Sequence, residues 1–163
     1  MKIAMGCDHR GFGARELVKS IVAQMGHELI DLGTESDRPV DYPDIAFQAA
    51  IAVSSKRVDR AILICATGIG MCIAANKVDG VRAALCHDVF SAAVSREHND
   101  SNVLCVSSEQ SGELVLRKMV EIWLVSDFTG GGRHERRVNK IGLIEQGRDP
   151  RESPQASEEV ARE

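Results

Sequence analysis

Short, continuously apolar segments recur along the chain, and a segment with helical periodicity follows each of them. The clearest is Ala-Ile-Leu-Ile-Cys at residues 61–65. A run of this kind lacks the alternation of apolar and polar residues that marks a strand with one solvent-exposed face. Both of its faces must therefore be buried. Such strands belong to parallel sheets that helices cover on both sides. The pattern therefore predicts an α/β fold.

Five strands are predicted in this way, at residues 2–7, 27–32, 61–65, 81–86 and 102–106. Predicted helices follow them: one stops at Gly26, one covers 45–53 after a polar loop through 41–44, and others cover 71–77, 88–97 and the stretch around 115–124. Asp88 can cap the fourth helix. The expected architecture is a single-domain, doubly wound, five-stranded parallel sheet, a Rossmann-like or flavodoxin-like three-layer sandwich. For five strands we expect the flavodoxin-like order 2-1-3-4-5, which reverses between strands 1 and 3.

The domain is expected to span residues 1–147. With 163 residues, of which 44% are apolar and 27% charged, the chain can build one core. Residues 148–163 are charged and carry Pro and Ser but little apolar content, so we expect a disordered tail there.

Charge and cysteine usage limit the partners and the compartment. A formal charge of −4 argues against non-specific nucleic-acid binding, and a phosphate ligand would need a local cluster of positive groups. No apolar run reaches the length of a membrane span. The five cysteines form an odd number without a Cys-x-x-Cys pair, which favours reduced thiols and a cytoplasmic location.

In a parallel sheet of this order, a ligand is expected beyond the carboxyl ends of strands 1 and 3. The loops there are Cys7-Asp8-His9 and Cys65-Ala66-Thr67-Gly68-Ile69-Gly70. The small residues of the second loop let backbone amides converge on an anion, and the helix start adds positive charge. The same field would favour the thiolate form of Cys65. The alternative is a small buried thiol without a function, which is how we interpret Cys7, Cys86 and Cys105.

The glycine loop does not match other familiar sites. It lacks the third glycine of the dinucleotide fingerprint and follows the wrong strand. No Gly-x-x-x-x-Gly-Lys-Ser/Thr segment occurs, which excludes a P-loop. A cysteine phosphatase would need an arginine where Met71 stands. The Cys and His residues lack metal-ligand spacing, so no metal site is predicted.

A second polar cluster follows three glycines at residues 130–137. If a helix begins here, Arg133 and Arg137 lie on one face and can bind a phosphate together. A solvated basic patch is the competing interpretation, and the residues alone leave both open. His98, near a helix C-terminus, is explained by its interaction with the helix dipole, and nothing local selects it as catalytic.

Several segments together resemble a known family. They are Gly-Cys-Asp-His at 6–9, Asp-Tyr-Pro at 41–43, Cys-Ala-Thr-Gly-Ile-Gly-Met-Cys-Ile-Ala-Ala-Asn-Lys at 65–77, Arg-Ala-Ala at 82–84, Arg-Glu-His-Asn-Asp at 96–100, and Gly-Arg-His at 132–134 with Arg137. The chain resembles the type B ribose-5-phosphate isomerases, in a family that also holds galactose-6-phosphate isomerase subunits. The matching segments spread over nearly the whole of residues 1–147.

The resemblance implies an aldose–ketose isomerase of the pentose phosphate pathway, which interconverts ribose 5-phosphate and ribulose 5-phosphate through an enediolate without metal or other cofactor. It also implies a homodimer, or a dimer of dimers, whose active sites take residues from both subunits. Cys65 is implied as the base that moves a proton between C1 and C2. Thr67 and His98 would assist opening of the furanose ring, with His98 supplied across the interface.

The other residues implied by the resemblance contact the sugar phosphate. The amides of Gly68, Ile69 and Gly70 would stabilise the enediolate. The remaining contacts are those of Asp8 and Asn99 with sugar hydroxyls, of Tyr42 beside them, and of His9, Arg133 and Arg137 with the phosphate.

Two positions bear on how closely the family pattern applies. Position 66 is Ala where the family usually has Gly, so the loop geometry depends on whether a positive φ is needed there. Met71 stands where a second branch of the family has a glutamate base, which favours the cysteine branch. Two other functions stay open: an isomerase of allose or galactose 6-phosphate, decided by pocket size near Asp8 and Tyr42, and a non-enzymatic sugar-phosphate sensor.

Overall fold

The computed structural model describes residues 1–152, which form five strands and six α-helices. The strands are β1 (Lys2–Cys7), β2 (Glu28–Asp31), β3 (Arg60–Cys65), β4 (Ala83–Leu85) and β5 (Val103–Ser107). The helices are α1 (Phe12–Gln24), α2 (Tyr42–Ser54), α3 (Ile69–Ala75), α4 (Val89–Glu97), α5 (Glu113–Val125) and α6 (Gly132–Glu145), followed by a 3-10 turn at Pro150–Glu152. A helix follows every strand, which confirms the alternation expected from the sequence.

All five strands are parallel and lie in the order β2-β1-β3-β5-β4. The doubly wound fold and the reversal between β1 and β3 are confirmed, but the predicted order 2-1-3-4-5 is wrong, because β4 and β5 exchange places. Every residue of β5 is buried, whereas the three residues of β4 are half-buried. The more apolar strand therefore takes the inner position and the short strand covers the edge.

Helices cover both faces of the sheet. On one face α1, α4 and α5 pack Val18, Ala92 and Trp123 against the buried side chains of the strands. On the other face the Ala-rich side of α2 and Met71 of α3 pack over Leu63 of β3. Burial of each large apolar side chain stabilises the fold by roughly 1.5–3 kcal/mol. The result is a sheet covered on both faces, with loops at two opposite edges.

Two helix starts matter for the site. α2 begins at Tyr42 rather than at residue 45, so the loop predicted through 41–44 is shorter than expected. Pro43 is tolerated in the first turn because the amide that it lacks would have no intrahelical acceptor. α6 begins at Gly132, and the helix expected to carry Arg133 and Arg137 is present. Asp88 caps α4 as predicted, since its Oδ1 accepts from an amide of the first turn at 2.7 Å.

The C-terminal end is described only as far as residue 152. Most of the tail predicted at 148–163 lies outside the described residues, so its disorder and the domain boundary at residue 147 stay predictions. Within residues 1–152, no helix is both long and apolar enough to cross a membrane.

Candidate active site

The carboxyl ends of β1 and β3 are neighbours in the sheet. Cys7 pairs with Ile64, so Asp8 and Cys65 follow at the same edge. The amide of Asp8 donates to the carbonyl of Ile64 at 3.2 Å. Adjacent strands lie about 4.8 Å apart, so the two predicted site loops meet. We call the predicted site residues at this edge the carboxyl-edge group: Asp8, His9, Tyr42, Cys65, Thr67, Gly68, Ile69 and Gly70.

Asp8 and His9 are oriented by the backbone around them. Asp8 is buried, and its Oδ1 accepts from the amides of Arg10 at 3.0 Å and Gly11 at 2.8 Å. Gly11 has no room for a side chain, because a Cβ would lie 2.3 Å from a carbonyl oxygen of β3. Nδ1 of His9 accepts from the amide of Val40 at 3.3 Å, so the neutral ring carries its proton on Nε2. That nitrogen can donate to an anion.

Cys65 ends β3 and is only 5% exposed. The amide of Gly68 donates to its Sγ at 3.0 Å, which directs the sulfur toward the loop that follows. Gly68 has a φ of +77°, and a Cβ there would lie 2.5 Å from Cδ1 of Leu85 and 3.1 Å from the backbone of Val106. Glycine is needed at this position for the backbone conformation and for close packing on β4 and β5.

The backbone of Gly68, Ile69 and Gly70 leads from this loop into α3. The Ile69 amide donates to Oγ1 of Thr67 at 3.3 Å. The first two amides would change partners to stabilise an enediolate, whereas the Gly70 amide lies in the first helical turn, where amides have no intrahelical acceptor. Tyr42 packs on this turn, since a Cβ at Gly70 would lie 2.6 Å from its ring.

Two serines that the sequence analysis did not select support the loop. Oγ of Ser107 donates to the carbonyl of Ala66 at 2.5 Å. The amide of Ser108 donates to the carbonyl of Cys65 at 3.0 Å, and its hydroxyl lies within hydrogen-bond distance of the carbonyls of Cys65 and Arg10. Both serines come at the end of β5, which neighbours β3 only in the observed strand order. The predicted order placed another strand there and therefore gave no signal for them.

Ala66 departs from the family pattern, and Met71 stands where the two branches of the family differ. The structure explains how both residues are accommodated. Within residues 1–152, the only non-glycine residues with positive φ are Lys56 and Asp100. Ala66 therefore adopts an ordinary conformation, and the loop does not need glycine there. Met71 lies on the inner side of α3 and is fully buried in the core.

The other four cysteines pack between the sheet and the helices. Burial, followed by the charge of Asp31, raises the pKa of Cys7 to about 11, and burial also raises the pKa of Cys86 and Cys105. A hydrogen bond with the Cys105 thiol lowers the pKa of Cys72 to about 7, but its Sγ faces a carbonyl oxygen of β4 at 3.4 Å. Cys7, Cys86 and Cys105 fit the interpretation of packing thiols, and Cys72 packs beside them. Across residues 1–152, no group of three or more His, Cys, Asp and Glu side chains could hold a metal ion.

The remaining predicted site residues lie at the opposite edge of the sheet. α4 runs back from the carboxyl edge and ends at Glu97, and a short turn with His98 and Asn99 leads into the amino end of β5. The amide of Ala61, at the amino end of β3, donates to the carbonyl of Asn102 at 3.0 Å and marks the same edge. We call the predicted site residues here the amino-edge group: His98, Asn99, Arg133 and Arg137.

α6 brings its arginines to the amino edge. The amide of Thr129 donates to the carbonyl of Glu97 at 2.9 Å. The ring of His134 stacks on that of His98, with centroids 4.1 Å apart and planes inclined by 14°. Arg133 and Arg137 are exposed at the start of α6, at the predicted i, i+4 spacing. No role is predicted for His134 from the sequence, because a contact between distant helix ends leaves no local pattern.

The structure brings together the members of each group but not the two groups. β5 runs between the two edges, and its five residues extend over about 13 Å. Cys65 pairs with Ser107 at one end of this span, and His98 lies beyond the other end. A site that contains both Cys65 and His98 therefore requires a second copy of the chain.

Comparison with known proteins agrees with the fold and shows the family. The family model described as Ribose/Galactose Isomerase matches residues 3–141. The chain is 46% identical to Ribose-5-phosphate isomerase B of Escherichia coli strain K12, over 91% of this chain and 99% of that protein. The structure of Clostridium thermocellum ribose-5-phosphate isomerase B matches with a TM-score of 0.88 at 45% identity, over 90% of this chain and 99% of that one. The structure of ribose-5-phosphate isomerase B from Mycoplasma genitalium with bound ribulose-5-phosphate matches with a TM-score of 0.84 at 39% identity. The match covers 89% of this chain and 96% of that one.

Proposed function

The chain belongs to the ribose/galactose isomerase family, and on this premise we propose that it interconverts ribose 5-phosphate and ribulose 5-phosphate, with Cys65 as the base. The main support for this proposal is the position of Cys65. The thiol ends the central strand β3, is nearly buried, lies beside Asp8 and accepts from an amide of the glycine loop. This is where the switch point of a parallel sheet places a ligand.

The proposed reaction moves a proton between C1 and C2. Removal of a proton next to a carbonyl produces an enediolate, whose negative charge develops on oxygen. Cys65, as a thiolate, takes and returns the proton. Amides of residues 68–70 donate to the charged oxygen, and each such donor is worth on the order of 3 kcal/mol. Met71, which stands at the position of the other branch's glutamate, has no group that accepts a proton.

Ring opening is a separate step, and only the aldose needs it. Ribose 5-phosphate closes a furanose ring through O4, whereas ribulose 5-phosphate is open because its O5 carries the phosphate. We assign ring opening to Thr67 together with His98. Exchange of the C1 hydrogen of ribulose 5-phosphate with deuterium from the solvent needs proton transfer but no ring opening. The two steps can therefore be measured separately.

Positive groups from both edges hold the phosphate in this proposal. Nε2 of His9 is a donor at the carboxyl edge, as its Nδ1 already accepts a hydrogen bond. Arg133 and Arg137 supply two guanidiniums at the amino edge, which suit the charge and geometry of a phosphate. In an acidic chain such a local cluster is the feature that a phosphate ligand requires.

A second copy of the chain would complete the site, and we propose a homodimer, alone or within a dimer of dimers. An exposed apolar stripe lies on α2 and α3 next to the carboxyl-edge group: Phe47, Ile51, Ile69 and Ile73. Contiguous apolar surface of this kind marks an interaction site. α6 buries none of its residues within one chain, so it also gains from a partner. In the dimer, His98 of the partner subunit would reach Cys65.

A free thiol as base fits a reducing compartment. Cytoplasmic thiols stay reduced, whereas exported proteins form disulfides. All five cysteines are free in the structure. We therefore expect the enzyme to work in the cytoplasm.

The test is turnover of ribose 5-phosphate to ribulose 5-phosphate in the presence of a chelator, comparing wild type with Cys65→Ala. We expect activity in the wild type and a loss of about 10²–10⁴-fold in the variant, the usual contribution of a general base. Cys72→Ser is the matched control, because Cys72 is a nearby thiol outside the site, and it should keep the wild-type rate. Activity that survives in Cys65→Ala would overturn the thiolate base.

The choice of substrate is decided in the same assay. Turnover of allose 6-phosphate or galactose 6-phosphate without turnover of ribose 5-phosphate would establish the six-carbon alternative. Binding of ribose 5-phosphate without any turnover would instead identify a sugar-phosphate sensor.

A further inference from the structure

We infer that Arg82 and Asp100 are positioning residues, which hold His98 and Asn99 in the orientation that the reaction needs. The inference rests on the function proposed above. Both residues lie in segments that match the family pattern, Arg-Ala-Ala at 82–84 and Arg-Glu-His-Asn-Asp at 96–100. Neither belongs to the carboxyl-edge group or to the amino-edge group.

The turn that carries His98 and Asn99 ends in an unusual backbone conformation. Asp100 has a φ of +47°, in the left-handed region that residues other than glycine rarely adopt. Its amide donates to the carbonyl of Arg96 at 3.0 Å, and the amide of His98 donates to that of Val94 at 2.9 Å. The turn therefore winds directly off the end of α4. A change of φ at Asp100 would redirect the two residues that precede it.

Arg82 lies directly before β4 and donates hydrogen bonds to this turn. Its Nε donates to the carbonyl of Asp100 at 2.9 Å and lies 3.2 Å from the carbonyl oxygen of Asn99. Its Nη2 donates to Oδ2 of Asp100 at 2.6 Å. One planar guanidinium thereby contacts two consecutive carbonyls and a carboxylate, a geometry that lysine cannot reproduce. The Arg82 amide donates to Oδ1 of Asn102 at 2.8 Å, which anchors Arg82 to the sheet.

Arg96 holds the other oxygen of the same carboxylate from inside the protein. Its side chain is 7% exposed, and Nη1 donates to Oδ1 of Asp100 at 2.8 Å and to the carbonyl of Ser101 at 2.5 Å. Nε donates to the carbonyl of Ser126 at 3.4 Å, directly after α5. Ser126 begins the segment that leads to α6. The network therefore joins the His98 turn to the helix that carries the two phosphate-binding arginines.

The contact of the buried Arg96 with Asp100 matters to folding, but folding stability does not explain the contacts of Arg82 with the turn. The Arg82–Asp100 pair is partly exposed, 27% and 33% for the two side chains, and such pairs contribute little to folding. Their contacts end on the backbone of Asn99 and of the residue next to it, where small movements displace His98. Loosening them should therefore slow ring opening and leave proton transfer at Cys65 intact.

The test measures two rates at saturating substrate in wild type, Asp100→Asn and Arg82→Lys. The first is isomerisation of ribose 5-phosphate, which needs ring opening, and the second is deuterium exchange at C1 of ribulose 5-phosphate, which does not. We expect isomerisation to fall about tenfold to a hundredfold in both variants, as for a displaced catalytic group, while exchange stays close to wild type. Arg117→Lys is the matched control, because Arg117 forms a comparably exposed pair with Glu121, and neither rate should change.

Parallel loss of both rates, or an unchanged isomerisation rate, would overturn the inference. Thermal unfolding shows whether each variant folds, and if Asp100→Asn does not, Arg82→Lys decides the question by the same two rates. A wild type that neither isomerises nor exchanges would overturn the proposed function and the inference with it. Wild-type rates with unaffected variants would overturn the inference alone.

Discussion

The carboxyl-edge group and the amino-edge group are built in different ways. The carboxyl-edge group lies at the ends of β1 and β3, inner strands of the sheet, and close backbone packing leaves no room for a side chain at Gly11 or Gly68. The amino-edge group lies at the end of α4 and on α6, which buries none of its residues, and the turn with His98 and Asn99 is bordered by ion pairs of Arg82 and Arg96 with Asp100. The carboxyl-edge group follows from the core of a single chain, whereas the amino-edge group lies on a turn and on a helix that the core does not enclose.

This difference matches what each half is proposed to do. Proton transfer needs a base and amide donors held within a fraction of an ångström of their positions, and a close-packed core supplies that rigidity. Phosphate binding by long arginine side chains tolerates more movement. A dimer can therefore keep the proton-transfer half fixed while the partner subunit brings the ring-opening and phosphate-binding half.

The largest effect that would test this comparison is expected from Gly68→Ala. Gly68 and Gly26 have nearly the same φ, +77° and +76°, so alanine costs each about 1–2 kcal/mol in backbone strain. Only at position 68 does the new Cβ also collide, with Leu85, while at Gly26 it meets nothing within 4 Å. We expect isomerisation and C1 exchange to fall about a hundredfold or more in Gly68→Ala, and urea titration to show a larger loss of unfolding free energy than in Gly26→Ala. Equal behaviour of the two variants would contradict the rigid carboxyl edge.

A smaller and more selective effect is expected from His98→Ala. Isomerisation of ribose 5-phosphate should fall about a hundredfold, the low end of what an acid–base group contributes, because ring opening loses that group. Deuterium exchange at C1 of ribulose 5-phosphate, followed by proton NMR, should continue near the wild-type rate. If exchange falls as far as isomerisation, His98 belongs to proton transfer and the two halves do not divide the chemistry.

The smallest effect is expected at the phosphate. Arg137→Ala should raise the KM for ribose 5-phosphate about tenfold, since a charge-assisted hydrogen bond contributes roughly 1.5–3 kcal/mol, with a weaker effect on kcat. Arg136→Ala is the matched control, because it removes the same charge from another face of α6. Equal increases in KM would indicate a diffuse basic patch in place of a phosphate site.

Much of the carboxyl edge could be predicted from sequence. The apolar runs of β1 and β3 mark buried strands, and parallel topology then places Asp8 and Cys65 together whatever the other strands do. The order of β4 and β5 could not be predicted in the same way. β4 has only three half-buried residues, too few for a pattern, and Ser107 and Ser108 could not be selected without knowing that β5 lies beside β3.

The amino edge left a weaker signal in the sequence. His98 and Asn99 follow a helix end, where polar residues are expected in any case. Their proposed roles depend on a contact with a second copy of the chain, and hydrophobic periodicity does not encode such a contact. The hydrogen bonds between Arg82 and Asp100 join residues that are 18 positions apart in the chain, so only the folded structure shows them.

The shared site is tested most directly with purified heterodimers that carry different tags on their two chains. One joins Cys65→Ala to His98→Ala, and the other joins wild type to a chain with both substitutions. A site shared between subunits predicts about half of the wild-type isomerisation rate for the first heterodimer, because one of its two sites is intact, and little activity for the second. The reverse result, an inactive first heterodimer and a half-active second one, would show that each chain contains a whole site and would contradict the account.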